Sequence, residues 1–382
     1  MTLEPASRAL ILTAGPQMQC GVGQFTLRLD ETLGKCDAAG AATFALTREG
    51  PSLPAIWRAV GSAENIVCNF PIVAWKRVIF RPLIALAMAR LRGRRAILIL
   101  HEWAGLHRLR RIAYWPALLL ADVIVMVSPL VRSELAADPV AGWAAHKVAL
   151  APLPPNIEAP AGISDSPLRE RLAQARADGR LIIGHFGSIY PGKQPNALLE
   201  IGAILKQRGL NPLIVYVGSF IRGMDTVEED FFARVAELGL TDDVVVSGYV
   251  ASDREVFGLF EQVDGFCYLF EEGLTARRAS VLTCVQSGRP VVVTGPREAD
   301  EFDHHPRFKA LIDRGAIVPI PRGESADIYA DEIVCAARRR PAQMPFEFDA
   351  WWRDAAEAIR AQFTPACGTA PDNAARIPLP GK

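Results

Sequence analysis

Short apolar runs alternate along the chain with stretches of helical period. Residues 9–13, 41–46, 65–67, 96–100, 123–127 and 147–149 are almost continuous Ala, Ile, Leu and Val, as expected of parallel strands buried on both faces. With helices between them, these runs predict a doubly wound α/β domain over residues 1–150. The segment 151–160 reads APLPPNIEAP. Proline fixes φ and donates no ladder bond, so this segment is expected to be a stiff linker. After a charged helix at 166–177 the pattern restarts, with strand runs at 181–186, 213–217, 244–247, 265–269 and 290–293. A second α/β domain is therefore expected over 161–345. Residues 346–363 hold an amphipathic stretch with adjacent Trp351 and Trp352, predicting a terminal helix. Pro, Gly and Ala dominate 364–382, which is expected to be a disordered tail.

A length of 382 residues suits two domains, and 50% apolar content excludes a disordered chain. Lys and Arg together number 42, as do Asp and Glu, so no global field points to nucleic acid. Locally the charge is uneven. Residues 71–111 hold ten basic side chains, at 76, 77, 81, 90, 92, 94, 95, 108, 110 and 111, against Glu102 alone. Trp75, Ile79, Phe80 and Leu83 add an apolar component. The segment reads either as an element docking on an anionic membrane surface or as a solvated basic helix packing its apolar face on the sheet. The apolar stretch 112–130 is interrupted by Pro116 and Asp122 and ends in a β-branched run, which argues against a transmembrane helix. The seven cysteines are scattered, without CxxC or Cys/His ligand spacing. They predict a reducing cytoplasm and no metal site. The amino terminus reads as a first strand and not as a signal peptide.

Open parallel sheets bind ligands beyond the carboxyl ends of their strands, so loops after strands are where chemistry is sought. Residues 15–24, GPQMQCGVGQ, precede a helix expected from Phe25. Gly21, Val22 and Gly23 would let backbone amides approach an anion or a polar sugar. A plain tight turn fits as well, and Thr26 breaks the dinucleotide pattern GxGxxG. His101 and Glu102 follow the run 96–100, where a histidine either hydrogen-bonds a substrate hydroxyl or serves as a cap or core residue. Gly187 and Ser188 open a loop ending in Lys193 before a helix, a phosphate-binding arrangement or simply a solvated lysine. In the loop 270–280, FEEGLTARRAS, Arg277 and Arg278 are expected in the first turn of a helix. The helix dipole disfavours cations there, so an anion such as a diphosphate would explain them. The alternative is that they face solvent or pair with Glu271 and Glu272.

Taken in order, CGVGQ at 20–24, His101-Glu102, FGSIYPGK at 186–193, VSGY at 246–249, Glu272-Gly273 and SGRPVV at 287–292 resemble the GT-B glycosyltransferases. The likeness is to the bacterial, retaining, nucleotide-sugar-dependent group of family-4 type, and it extends over nearly the whole chain. It implies two Rossmann-like doubly wound domains facing a cleft, with the acceptor in the first, the nucleotide sugar in the second and the terminal helix bracing the first. It also implies acceptor-side contacts at Gly21, Val22, Gly23 and Glu102, catalytic roles for His101 and Glu272, and donor or diphosphate contacts at Gly187, Ser188, Lys193, Gly273, Leu274, Thr275, Arg277, Arg278 and Ser280. Two positions depart from that pattern: Ser188 replaces an arginine, and Ser280 replaces a second glutamate. No cofactor or metal is expected beyond the nucleotide sugar, since fixed cations and amides can stabilise the leaving diphosphate. The acceptor is expected to be a saccharide or, if the basic segment 71–111 docks on a membrane, a lipid-linked saccharide at the inner membrane during surface polysaccharide assembly. The two serines also fit a glycosyltransferase-like binding or scaffold protein without catalysis, and sugar-nucleotide epimerases share the architecture.

Overall fold

A computed structural model describes residues 9–15, 21–36, 41–221, 226–339 and 346–363. Cys20 and the expected tail at 364–382 lie outside the described residues. The chain divides into two compact units, one of Met1–Val125, Asp138–Ala149 and Ala356–Lys382, the other of Met126–Ala137 and Leu150–Ala355.

In chain order the first half forms β1 (Ala9–Thr13), α1 (Gly21–Cys36), β2 (Ala41–Ala45), α2 (Leu53–Gly61), β3 (Asn65–Phe70), α3 (Phe80–Leu91), β4 (Arg95–Leu100), α4 (Arg108–Leu120), β5 (Val123–Met126), α5 (Pro129–Ala136) and β6 (Val148–Leu150). The sheet order is β2-β1-β3-β4-β5-β6. Strands β1 and β3 are buried at every position, whereas β2, at the sheet's edge, is only partly covered. The continuous apolar runs therefore mark the interior strands. The helix expected from Phe25 already includes Gly21, so Gly21, Val22 and Gly23 stand in the first turn of α1 and not in a loop ahead of it. The apolar stretch 112–130 resolves into the end of α4, strand β5 and the start of α5. Among the described residues no helix is long and apolar enough to cross a membrane.

The second half forms α6 (Pro167–Ala177), β7 (Leu181–Phe186), α7 (Pro195–Gln207), β8 (Pro212–Val217), α8 (Val227–Glu237), β9 (Val244–Val246), α9 (Asp253–Phe260), β10 (Gly265–Tyr268), α10 (Ala279–Val285), β11 (Val291–Thr294), α11 (Pro306–Asp313), β12 (Ile317–Ile320), α12 (Ala326–Arg339) and α13 (Phe348–Arg360). All pairings in the order β12-β11-β10-β7-β8-β9 are parallel. Helices α5, α6, α7 and α11 begin with proline, whose fixed φ suits a first turn and whose missing N–H costs nothing there. Strand β12 escapes the sequence reading because Pro319 interrupts its apolar run; at the sheet's edge a proline is tolerated. The segment read as a linker is irregular as expected, but residues 151–155 are buried, and Trp352 Nε1 donates to Pro155 O at 3.1 Å. Trp351 stacks on Phe346 at 4.9 Å and meets His305 edge-on at 5.1 Å. Both tryptophans therefore make these contacts within the second unit.

Candidate functional site

The strand order of the second sheet reverses direction between β7 and β10, the switch point where an open parallel sheet leaves a crevice beyond its carboxyl edge. The loops that follow these two strands are the Lys193 loop and the double-arginine loop. They are joined directly, Glu271 N donating to Gly192 O at 3.3 Å.

Strand β7 is followed by Gly187, held at φ 105°. A Cβ on the facing Gly218 would lie 2.1 Å from Gly187 O, so the close approach of the two backbones requires glycine at 218, while the positive φ favours it at 187. Ser188 is exposed. Lys193 closes a short 3-10 turn ahead of α7 and is only 6% exposed, so the solvated-lysine alternative fails. Its Nζ reaches Phe186 O at 3.5 Å and lies 5.6 Å from the Tyr190 ring centroid and 6.0 Å from that of Tyr268. Burial, with the Arg278 charge alongside, brings the ammonium down to about 7. His185 beneath it is held well below its ordinary value by burial and by the Lys193 charge.

The second loop turns at Gly273, where φ is 83° and a Cβ would stand 2.2 Å from Gly295 O. Leu274 N then donates to Thr294 O at 2.8 Å, anchoring the loop to β11, and Gly273, Leu274, Thr275 and Ala276 are buried. Helix α10 begins at Ala279 with Arg278 as its cap. The arginines thus precede the helix instead of forming its first turn; Arg278 N closes back on Thr275 O at 3.1 Å. Their charge is answered within the loop. Arg277 Nη2 meets Glu272 Oε2 at 2.5 Å, and Arg278 Nη2 pairs with Glu272 Oε1. Arg278 also donates to Tyr190 Oη at 3.1 Å and lies 4.1 Å over the Phe270 ring. Burial raises the Glu272 carboxyl, but the bonds and charges of both arginines outweigh it, and the group stays below its ordinary value. The carboxylate that both arginines meet is Glu272, and Glu271 is exposed. Ser280, in the first turn of α10, faces Gly187, whose added Cβ would lie 3.8 Å from the serine Cβ.

The structure thus gathers Gly187, Lys193, Glu272, Arg277, Arg278 and Ser280 around one crevice edge. Thr275 Oγ1 and Arg278 Nε there are buried without a hydrogen-bond partner among the described residues. Tyr190 and Phe270 were not singled out from sequence, though both lie inside the loops that were. Glu301 also escaped, although it is 1% exposed. Its Oε1 accepts from Ser128 Oγ at 2.6 Å and Ala276 N at 2.8 Å, and its Oε2 from Leu130 N at 3.1 Å.

In the first unit, His101 caps the end of β4 with its N–H on Phe70 O at 3.0 Å. Its Nε2 lies 3.3 Å from Asn69 Oδ1 of β3, and its ring meets Phe25 of α1 edge-on at 5.1 Å. Burial depresses the imidazole to about 4. Gly21, exposed, and Gly23, buried, lie in the first turn of α1, just before Phe25. Glu102 is half-buried, and the neighbouring Trp103 is buried, donating from Nε1 to Asp138 at 3.0 Å. Much of the basic charge at 71–111 serves internal bonds. Arg81 reaches Pro51 O, Arg90 pairs with Asp122, Arg92 covers the Trp57 ring, Arg94 reaches Gly61 O and Arg111 pairs with Asp138. Trp75 is buried as well. Phe80, Val73 and Leu91 are nevertheless exposed, and further uncovered apolar surface lies on α4, where Leu109, Ile112, Trp115 and Leu119 are exposed. Among the described residues no cluster of His, Cys, Asp or Glu is placed to hold a metal.

No protein-family model matches the chain, and no curated protein matches it in sequence. Solved structures do. Anabaena HepE, crystallised with UDP, is 15% identical over 93% of this chain and 95% of its own, with a TM-score of 0.56. A glycosyltransferase from Rickettsia africae is 12% identical over 94% of each chain, with a TM-score of 0.53. Sucrose-phosphate synthase from Thermosynechococcus elongatus is 14% identical over 94% of this chain and 95% of its own, with a TM-score of 0.51. The fold is therefore that of the GT-B glycosyltransferases, built from two Rossmann-like sheets.

Proposed function

We propose that the protein is a glycosyltransferase that moves a sugar from a nucleoside-diphosphate sugar to a saccharide acceptor, with retention of configuration and without a metal. One observation carries this reading: at the sheet's switch point a buried lysine with no carboxylate partner among the described residues stands beside Arg278, with unsatisfied donors around it. A diphosphate supplies the missing charge and the acceptors. HepE, of the same fold, has been crystallised with UDP and with UDP-glucose, which favours a uridine nucleotide.

As the sugar leaves, negative charge grows on the diphosphate, and fixed cations already aimed at it stabilise the transition state without reorganising. Lys193 and Arg278 have that role, Phe270 and Tyr190 hold the Arg278 guanidinium in place, and Glu272 sets both guanidiniums and faces the donor sugar. His101, a neutral imidazole above about pH 4, accepts or donates a hydrogen bond to an acceptor hydroxyl. Ser188 and Ser280 contribute only hydroxyls. The outward apolar stripe of α4, flanked by Arg108, suits an anionic bilayer and hence a lipid-linked acceptor at the cytoplasmic face of the membrane, in polysaccharide assembly.

A second reading, nucleotide binding without catalysis, is favoured by the engagement of Glu272 with both arginines. A thermal-shift screen of nucleoside diphosphates and their sugars, followed by product analysis with and without acceptor, tests all of this. Ligand-dependent stabilisation together with acceptor-dependent release of the nucleoside diphosphate supports the transferase. Binding without turnover supports the second reading, donor isomerisation without acceptor marks an epimerase, and no shift with any ligand removes the proposal.

A further inference from the structure

Glu301 has no part in the chemistry described so far, yet it is the most deeply placed carboxylate near the arginine turn. Burial raises its carboxyl above the ordinary value even though three hydrogen bonds and the Arg277 charge act in the opposite sense. Burying a carboxylate is unfavourable unless its lone pairs are used. Here they are, and by donors from two separate places in the second unit: Ser128 and Leu130 at the start of α5, and Ala276 in the arginine turn. A carboxylate accepts at both oxygens, whereas a carboxamide accepts at only one.

The residues around Glu301 fasten the same neighbourhood. Arg132 pairs with Asp300 at 3.4 Å, His304 Nε2 donates to Val127 O at 3.1 Å, and His305 Nε2 donates to Leu153 O at 2.9 Å. Residues 300–305 thus form a fixed frame, and Glu301 is the member of that frame that reaches the functional loop. Gly273 turns the loop, Leu274 is pinned to β11, and the next pinned backbone amide is that of Ala276, one residue before the two guanidiniums.

We propose that Glu301 is a positioning residue for the arginine turn: by holding the Ala276 amide it sets where the Arg277 and Arg278 guanidiniums stand, and through them the grip on the diphosphate. This inference rests on the reading that the turn binds a nucleoside diphosphate. It is tested in the full chain by titrating uridine diphosphate calorimetrically into wild type, E301A, E301Q and S128A. Removing all three acceptor bonds in E301A weakens binding on the order of tenfold. In E301Q the side-chain oxygen can still hold Ala276, so most of the affinity returns. S128A loosens only the α5 side and binds as wild type does. In an R277A/R278A background E301A has no further effect, because the path it acts through is gone. Should E301A fail to fold, E301D carries the same charge on a shorter stem and is expected to weaken binding several-fold. Wild-type affinity in the folded E301A or E301D, or a loss in S128A equal to theirs, would overturn the inference. If wild type itself binds no nucleoside diphosphate, the function reading fails on its own. Hydrogen exchange at residues 274–278 then decides the positioning role: faster exchange in E301A or E301D but not in S128A upholds it, and unchanged exchange sinks it.

Discussion

The Lys193 ammonium ends against the backbone of Gly187: a Cβ on that glycine would lie 2.8 Å from Nζ. G187A therefore strains a backbone held at φ 105° and displaces the cation at once. A stability loss of roughly 1–3 kcal/mol by chemical denaturation is expected, with a larger proportional loss of diphosphate affinity by calorimetry. Wild-type affinity in this variant would show that the lysine is not a ligand cation.

The depressed Lys193 gives a pH signature whose sign is fixed. Below about pH 7 the lysine is charged both folded and unfolded, and the cost of burying it is fully present. Between about 7 and the ordinary 10.5 the folded lysine is neutral while the unfolded one is not, so through this group the free protein gains stability as pH rises. Diphosphate binding reverses the preference and takes up a proton above pH 7, so affinity falls by up to about tenfold per pH unit. Titrations in buffers of different ionisation enthalpy should differ for wild type and agree for K193A.

Alanine at Lys193 or Arg278 should lower turnover by roughly 10²–10³-fold, the loss expected for a single preorganised charge or donor. E272Q separates the two readings of the protein. Freed guanidiniums keep or improve nucleotide affinity, while transfer collapses if Glu272 serves the donor sugar. A nucleotide-binding scaffold would show no transfer in the parent protein at all.

The exposed stripe of α4 predicts flotation with vesicles containing phosphatidylglycerol and little with neutral ones. Asp at Ile112 or Trp115, which are 66% and 37% exposed, should abolish it without lowering the melting temperature. Flotation equal to wild type in both variants would locate the contact elsewhere.

His101 titrates near 4 because of burial, so the rate against pH should show no step from this residue between about 5 and 7. Protonation in that interval belongs to the unfolded chain, and His101 therefore lowers stability as pH falls from 6.5 towards 4. A rate step near 6.5 that vanished in H101N would contradict the buried, neutral imidazole.

Strands were legible wherever the chain runs through the sheet's interior, because burial on both faces removes polar alternation; β7 and β1 match their runs residue for residue. Legibility failed at edges and junctions. β12 carries a proline that only its edge position permits, and α1 takes in glycines that look like loop. For the site, the loops could be found from sequence, since glycines and cations after strands stand out. The pairing of Glu272 with both arginines could not be chosen over an external anion, because spacing in a turn does not fix side-chain direction. For the same reason a buried Lys193 could not be told from a solvated one. Glu301 was invisible, its partners lying 173, 171 and 25 positions away.

Four cysteines are described as free thiols, and Cys68, Cys267 and Cys284 are buried, whereas Cys335 on α12 is partly exposed. Burial raises the thiols of the three covered residues, Cys267 to about 12, so their reactive thiolate is scarce at neutral pH. Of these four, only Cys335 should accept a maleimide quickly. The other three become silent reporters whose slow alkylation times the separation of β3, β10 and α10, turning ordinary thiol chemistry into a clock for each sheet.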